Sequence, residues 1–371
     1  MATGDNKKTL SWPDGTAVLG AAVGVDVSSI EKELSALWRH QNQSAEQAVV
    51  RACSWNLIIH CQDDEALKLA TAVAESLVKT VPTRTLLVHT NPYATTGKEI
   101  EAWVSANCQV APGGGKLLCS EEVHLESRGA GVQHVPSLLR ALLVPDVPTA
   151  LWWAGAPPAD ASAVRLLLSG VDRLVVDTVH AKDGTLSRLA HVGGLLDSLI
   201  LADLNWLRTA SLRSLLASFF DPPAGHDPLW HVTRVRIEAT DSGLAAARLM
   251  VGWLTSRLRW NVTERIPRPH GQAWRLQSKD EMPIGVDIDV VMQCSRASGL
   301  ASILLETASG ERFLVKDAGG DHVDIQTPAL GKRSVLVGEP RLEELLVSAL
   351  GARGRDRLYA VALHRAVELE R

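Results

Sequence analysis

The sequence lacks the short motifs that mark most common catalytic and metal sites. It has five cysteines in 371 residues, Cys53, Cys61, Cys108, Cys119 and Cys294. An odd number of cysteines with no Cys-x-x-Cys pair argues against a disulfide framework and against a structural zinc site. The phosphate-loop pattern, Gly-x-Gly-x-x-Gly, His-Glu-x-x-His and Gly-x-Ser-x-Gly are all missing. We therefore expect no catalytic residues, no metal and no cofactor.

Long apolar runs and clusters of basic residues are missing as well. No run approaches the roughly 18 apolar residues that cross a bilayer, and the first residues, MATGDNKK, lack the apolar stretch of a secretory signal. The net charge of −4 comes without a Lys/Arg cluster, which disfavours a nucleic-acid partner. With 46% hydrophobic and 22% charged residues the chain can bury a sizeable core. We expect a cytoplasmic protein that binds neither nucleic acid nor a membrane.

The spacing of apolar residues predicts a Rossmann-like α/β fold. Trp55–Ile59 and Arg84–His89 are typical of buried strands, and a helix capped by Asp63 and Asp64 lies between them. Strand, helix and strand form a βαβ unit, which implies a largely parallel sheet. Ile100–Val110 and Leu117–Arg128 alternate around a glycine-rich turn and predict an antiparallel hairpin at the edge of that sheet.

The same pattern divides the chain into three parts. Residues 1–27 are expected to form a flexible arm, residues 28–223 the Rossmann-like domain, and residues 224–371 a smaller α+β domain with a mainly antiparallel sheet. Asp203 is expected to cap a long helix that ends at Asp221-Pro222-Pro223, because proline cannot continue a helix.

Two adjacent tryptophans, Trp152 and Trp153, end a short apolar strand that begins at Thr149. Successive residues of a strand point to opposite faces, so both faces of this strand must be covered. Either both rings lie in the core, or one of them contributes to a surface that binds a partner protein.

Charged residues alternate along the second strand of the predicted hairpin. Glu122, His124, Glu126 and Arg128 share one face, and the residues between them are apolar. This pattern is typical of a solvated sheet face, and it is also compatible with a charged contact strip for a partner. Glu122, Glu126 and Arg128 are therefore candidate partner-binding residues, together with Trp152 and Trp153.

Cys108 and Cys119 are placed symmetrically about the turn of the hairpin. In a symmetric hairpin they face each other at a distance close to that of a disulfide. They are either two adjacent thiols or a redox pair.

A crevice at the carboxyl ends of the parallel strands is the alternative functional site. His60, His89 and Asp177 would lie there, as in a sugar-phosphate or nucleotide enzyme or in a small-molecule sensor. The acidic residues Asp63 and Asp64 at the first strand end disfavour a dinucleotide, because they repel a pyrophosphate.

Several blocks in the same order resemble those of one known family. They are Pro82-Thr83-Arg84, Cys119-Ser120-Glu121-Glu122, Pro145-Asp146-Val147-Pro148 with Leu151-Trp152-Trp153-Ala154-Gly155, Asp172–Asp177, and Asp203-Leu204-Asn205-Trp206 with Arg208 and Phe219–Pro223. This arrangement resembles the OpcA family, the glucose-6-phosphate dehydrogenase assembly proteins. The resemblance implies a non-enzymatic assembly factor and allosteric activator that binds glucose-6-phosphate dehydrogenase and promotes its active oligomer in the oxidative pentose phosphate pathway.

Overall fold

The computed structural model describes residues 23–36, 48–51, 53–77, 80–110, 116–157, 165, 167–182, 184–195, 199–221 and 226–370. They fall into two compact units. The first runs to Gly155 and includes the segment up to Val175, and the second begins at Val176, with residues 156–161 assigned to it. Within these ranges no helix is both long and apolar enough to cross a membrane.

The first unit is built on a largely parallel sheet. Its strands are β1 (Val23–Val25), β2 (Ala48–Arg51), β3 (Trp55–Cys61), β4 (Thr83–Asn91), β5 (Ile100–Val110), β6 (Lys116–Arg128), β7 (Thr149–Trp153) and β8 (Arg173–Val176). The spatial order is β1-β5-β6-β4-β3-β7-β8, and β2 also pairs with β6. Strands β2, β3, β4, β6, β7 and β8 are parallel to one another, whereas β5 is antiparallel to β6 and β1 is antiparallel to β5.

Three helices belong to this unit: α1 (residues 30–36), α2 (Asp64–Leu77) and α3 (Val135–Leu142). Helix α2 connects β3 to β4 and packs against both. Strands β3 and β4 are near-continuous apolar runs because both of their faces are buried. The Rossmann-like fold class with an antiparallel hairpin is confirmed.

Strand β1 lies near the end of residues 1–27, the segment that is expected to form a flexible arm. Residues 23–25 pair with β5 and lie outside the hairpin, so β5 is not the outermost strand. Residues 1–22 of that arm lie outside the described residues.

The second unit combines helices with a mainly antiparallel sheet. It contains α4 (Thr185–Leu195), β9 (Ile200–Asp203), α5 (Leu204–Arg208), α6 (Ala210–Ser218), α7 (His226–Trp230), β10 (Val232–Ala239), α8 (Leu244–Leu258), β11 (Asn261–Ile266), β12 (Gln272–Gln277), β13 (Pro283–Val290), β14 (Leu300–Thr307), β15 (Arg312–Gly319), β16 (His322–Thr327), β17 (Gly331–Leu336), α9 (Leu342–Gly351) and α10 (Arg357–Glu370). The sheet order is β11-β12-β13-β10-β14-β15-β16-β17. Its central strand β10 is parallel to β13 and antiparallel to β14.

The core of the second unit includes residues that precede the predicted domain boundary at 223/224. Leu212 and Leu216 of α6 belong to the same buried cluster as Val235 of β10 and Met250 of α8. The division at Val176 therefore lies upstream of the predicted one, because α6 packs on the core of the second unit.

One local expectation is corrected. The long helix expected after Asp203 is divided into α5 and α6 at Thr209, which has φ −87° and ψ 3°. Helix α4 ends at Leu195, and β9 follows it.

Candidate partner surface

One face of the hairpin β5–β6 is partly exposed to solvent. Residues on this face alternate with buried residues along both strands, such as Val104 on β5 and Val123 on β6. We call it the β5–β6 face, and its residues are Glu101, Trp103, Ser105, Glu122, His124, Glu126 and Arg128. The alternation predicted for β6 is therefore present, and β5 continues it.

Arg128 holds together two carboxylates that lie directly opposite each other. Glu101 and Glu126 are partners across the two strands, an arrangement that is unfavourable for like charges. The Arg128 guanidinium donates to Glu101, with 2.6 Å between Nη1 and Oε2, and its Nη2 contacts Glu126. The hydrogen bond to Glu101 is the main cause that raises the pKa of Arg128. The three side chains remain 23%, 32% and 26% exposed for Arg128, Glu101 and Glu126, so they are fixed in place without being buried.

Trp103 and His124 form a cross-strand aromatic pair in the middle of this face. They are directly opposite each other, and their ring centroids are 5.5 Å apart with an interplanar angle of 53°. Burial, with a smaller contribution from nearby His89, lowers the pKa of His124 to about 4. His124 is therefore neutral at pH 7 and does not offset the surrounding carboxylates.

The charged side chains described on the β5–β6 face are Glu101, Glu122, Glu126 and Arg128. Glu122 lies opposite Ser105, and Glu101 and Glu126 share the single guanidinium of Arg128, which leaves this group of three with a net negative charge. Trp103 and Glu101 were missed in the analysis of the sequence. The signal was present, since β5 alternates polar and small apolar residues as clearly as β6 does.

The adjacent tryptophans Trp152 and Trp153 are both buried, with 2% and 1% of their surface exposed. Trp153 packs against the His60 ring, and their centroids are 4.3 Å apart. Neither ring is exposed, so their burial supports the alternative in which both rings lie in the core. Both tryptophans belong to the core, because β7 lies between β3 and β8 in the middle of the sheet.

The two histidines expected at the strand ends of the first unit are both buried, with 4% of His60 and 8% of His89 exposed. His60 lies 3.0 Å from the Thr90 hydroxyl through Nε2, and burial lowers its pKa to about 4. His89 lies 3.8 Å from the Asp64 carboxylate. In the second unit Asp177 forms an ion pair with Arg208, whose guanidinium donates two hydrogen bonds to the carboxylate, at 3.1 and 2.7 Å.

The N-terminus of α2, where a phosphate would bind in a Rossmann fold, is occupied by the chain itself. Asp63 accepts a 2.7 Å hydrogen bond from the Ala66 N–H. Gly155 adopts φ +89°, and a Cβ atom at that position would lie 3.3 Å from the Ala66 Cβ. A carboxylate thus caps the helix and the backbone after Trp153 approaches it closely, which disfavours an anion at this position. Among the described residues no group of three His, Cys, Asp or Glu side chains is arranged to hold a metal ion.

Comparison with known proteins identifies the family. A family model described as the glucose-6-phosphate dehydrogenase subunit N-terminal domain matches residues 74–194, and the C-terminal domain of the same subunit matches residues 200–363. The chain belongs to the OpcA family. It is 31% identical over 163 residues to the OxPP cycle protein OpcA of Nostoc punctiforme, which is 43% of this chain and 35% of the relative. It is 26% identical over 193 residues to OpcA of Synechocystis sp., which is 51% of this chain and 40% of the relative. The matched segments thus span two fifths or less of these curated relatives.

The comparison with solved structures finds similarities of low sequence identity. A 3-ketoreductase from Actinomadura kijaniata, solved with NADP and TDP-benzene, has a TM-score of 0.49 and 12% sequence identity. The alignment covers 86% of this chain and 96% of that protein.

Two of the blocks that resemble OpcA sequences meet in space in the first unit. Arg84 donates to Glu121 with 2.7 Å between Nε and Oε2, and the Thr83 N–H donates to the Ser120 hydroxyl at 3.3 Å. Arg84 also donates to the Leu142 carbonyl and to Glu31, both at 2.7 Å. One guanidinium therefore connects β4 and β6 to α1 and to the end of α3.

Asn56, which no sequence pattern singled out, holds the Pro-Asp-Val-Pro block in place. Its Nδ2 donates to the carbonyls of Val144 and Val147 at 3.0 and 3.1 Å, and its Oδ1 accepts from the Val144 N–H at 2.9 Å. Within that block Asp146 adopts φ +61°. The block is thus a turn fixed by a buried amide, and it leads the chain into the Trp-Trp strand.

The OpcA block that starts at Asp203 forms a buried polar network in the second unit. Asp203 caps α5, as predicted, and accepts from the Asn205 N–H at 3.0 Å and from the Thr178 hydroxyl at 2.8 Å. Burial and the charge of Asp177 raise its pKa to about 6. The Trp206 indole donates to Asp356 at 2.8 Å, which connects α5 to the start of α10.

The two hairpin cysteines lie directly opposite each other. Cys108 and Cys119 are register partners between β5 and β6, as the symmetric turn predicted. Cys119 is disulfide-bonded, whereas Cys53, Cys61 and Cys294 are free. A reversible redox role for the pair stays a prediction.

Proposed function

We propose that this chain is a non-catalytic partner of glucose-6-phosphate dehydrogenase that promotes the active oligomer of that enzyme. The observation that carries the proposal is the ordered match of two family domains, both named for a subunit of glucose-6-phosphate dehydrogenase, across residues 74–194 and 200–363. Membership of the OpcA family, whose curated relatives are called OxPP cycle proteins, supports the same assignment.

The mechanism we propose is a shift of population. A protein that binds the active oligomer more tightly than the inactive form shifts the equilibrium by the difference between its two binding free energies. A hundredfold preference, about 2.7 kcal/mol, can thus raise the active fraction from about 1% to about one half. No group on the chain has to take part in the chemistry.

The polar groups at the parallel strand ends support a structural role there. The α2 N-terminus is capped by Asp63, and His60 is buried and hydrogen-bonded to Thr90. These are the positions at which an enzyme or a small-molecule sensor with a Rossmann-like sheet would bind a phosphate group.

The test is an activity titration. Purified chain is added to its cognate glucose-6-phosphate dehydrogenase, and the rate is measured over a range of substrate concentrations, with serum albumin at equal concentration as the control. We expect a saturable increase in rate or a lower KM, with a shift of the enzyme to a larger species in analytical ultracentrifugation. No change in rate and no binding at micromolar concentrations would contradict the proposal. Turnover of a sugar phosphate by the chain alone would favour the enzymatic alternative.

A further inference from the structure

We propose that the β5–β6 face is the surface that binds the enzyme, and that Trp103 is the central contact. The inference rests on the proposed function, because it takes glucose-6-phosphate dehydrogenase as the partner. It commits to an arginine- and lysine-bearing surface of that enzyme as the occupant.

The residues on this face form a combination that is typical of protein-binding surfaces. Trp103 is a large, partly exposed aromatic side chain at the centre, and charged side chains surround it on the same strand and on the next. Tryptophan in the middle of a charged or polar rim is the residue type that contributes most to measured binding energies. The Trp152-Trp153 pair cannot serve in this way, because both rings are buried.

The charges described on this face favour a basic partner surface. Glu101 and Glu126 share the one guanidinium of Arg128, and His124 is neutral at pH 7, so this group of side chains carries a net negative charge that attracts a basic surface. An arginine of the partner can pair with the carboxylates and also stack on the Trp103 indole, since guanidinium groups bind well over tryptophan rings.

Strand pairing and side-chain contacts hold this face rigid before any partner binds. Its two strands are paired along their whole length, from Ile100↔Ser127 to Val110↔Leu117. Arg128 already fixes Glu101 and Glu126, and His124 packs on Trp103. A preformed surface loses less conformational entropy on binding.

The decisive experiment measures the binding of the full-length chain to the enzyme by surface plasmon resonance, for wild type and Trp103→Ala. We expect Trp103→Ala to weaken binding about tenfold or more, as a central aromatic contact does. The matched control is Trp230→Ala, which removes an indole that is 56% exposed in the second unit and should leave the affinity unchanged. The melting temperature of each variant is measured first.

A charge variant keeps the test decisive if Trp103→Ala does not fold. Glu122→Lys should slow association several-fold at low ionic strength, and the difference should shrink at high salt. The control is Glu264→Lys, at a glutamate that is 55% exposed on β11.

The outcomes separate the two proposals. Failure of the wild-type chain to bind the enzyme would contradict the proposed function itself. Binding by wild type with unchanged affinity and association rate in the folded β5–β6 variants would place the contact elsewhere and overturn this inference. Loss of a chain–chain dimer in Trp103→Ala, with unaltered enzyme binding, would assign the face to self-association and overturn it too.

Discussion

The Asp203 carboxylate at the end of β9 accepts a hydrogen bond from the Tyr359 hydroxyl on α10, with 3.3 Å between the oxygens and 156 residues between them in the sequence. Both side chains are buried, with 1% and 2% of their surface exposed. Burial is the main cause that raises both pKa values, that of Tyr359 well above its usual range. Asp203 therefore joins the start of α5 to helix α10. Its buried environment is unfavourable for the charged form of its carboxylate.

The first prediction follows from the raised pKa of Asp203, about 6 against 3.8 in a model peptide. Between these values the folded chain binds more protons than the unfolded chain, so the contribution of Asp203 to stability is greatest at low pH and is lost as pH rises through 6. Relative to Asp203→Asn, the wild-type free energy of unfolding should fall by on the order of 2–3 kcal/mol between pH 4 and pH 7. Urea unfolding at a series of pH values measures it. Parallel curves for the two proteins would show that Asp203 titrates with an ordinary pKa.

The second prediction concerns the two core tryptophans. Trp152→Ala and Trp153→Ala should each lower the free energy of unfolding by about 3–5 kcal/mol, because each leaves a large cavity in a packed sheet. Trp230→Ala, at an exposed position, should change it by less than about 0.5 kcal/mol. Chemical denaturation gives all three values. A near-neutral effect at Trp152 or Trp153 would mean that one ring is at a surface after all.

The third prediction concerns Arg84 and Glu121, whose side chains are 4% and 3% exposed. Arg84→Ala leaves the Glu121 carboxylate buried without this guanidinium and should cost about 3–5 kcal/mol. The double variant Arg84→Met/Glu121→Leu should be clearly more stable than Arg84→Ala, because it removes both charges. Glu31→Gln is the control within the same cluster, since Glu31 is 53% exposed and should cost less than about 1 kcal/mol. Equal losses in the single and double variants would show that the ion pair itself is not what stabilises this site.

The fourth prediction concerns Cys108 and Cys119. Because they are register partners, we expect one disulfide to join them in oxidised protein, closing a short loop and stabilising the fold by up to about 3 kcal/mol. Peptide mapping by mass spectrometry should find this link, and reduction should lower the melting temperature of wild type and leave Cys108→Ser/Cys119→Ser unchanged. Enzyme binding measured before and after reduction tests whether the pair acts as a switch. Recovery of both residues as free thiols after mild oxidation would contradict the prediction.

The elements that the sequence could predict are those with one apolar face. Helix α2 and strands β10 and β13 follow the expected periods because one side of each packs on the core. Edge strands β11 and β17 are mostly exposed, so they carry no apolar alternation and were missed. Strand β9 was missed because it continues the apolar pattern of α4 with only a few residues between them.

The candidate surface was predicted in part for a related reason. Local pattern shows which residues of a strand share a face, but it does not show what covers that face. Trp152 and Trp153 lie on a strand with neighbours on both sides, whereas Trp103 lies on β5, beyond β4 and away from α2. Trp103 is partly exposed and the other two are buried because their strands occupy different positions in the sheet. Those positions depend on pairing between segments that are distant in the sequence.

The order of strands in the second sheet also has a consequence for synthesis on the ribosome. Strand β10 is made first, and its neighbour β14 begins about 60 residues later, which corresponds to roughly 3–12 s of translation. Through that interval β10 has an edge without its native partner, the condition in which strands pair with other chains. Arg234, Arg236 and Glu238 alternate along β10, and charges at such positions hinder wrong pairing. We therefore expect these side chains to disfavour pairing of the nascent strand with other chains before they form any contact of the finished fold.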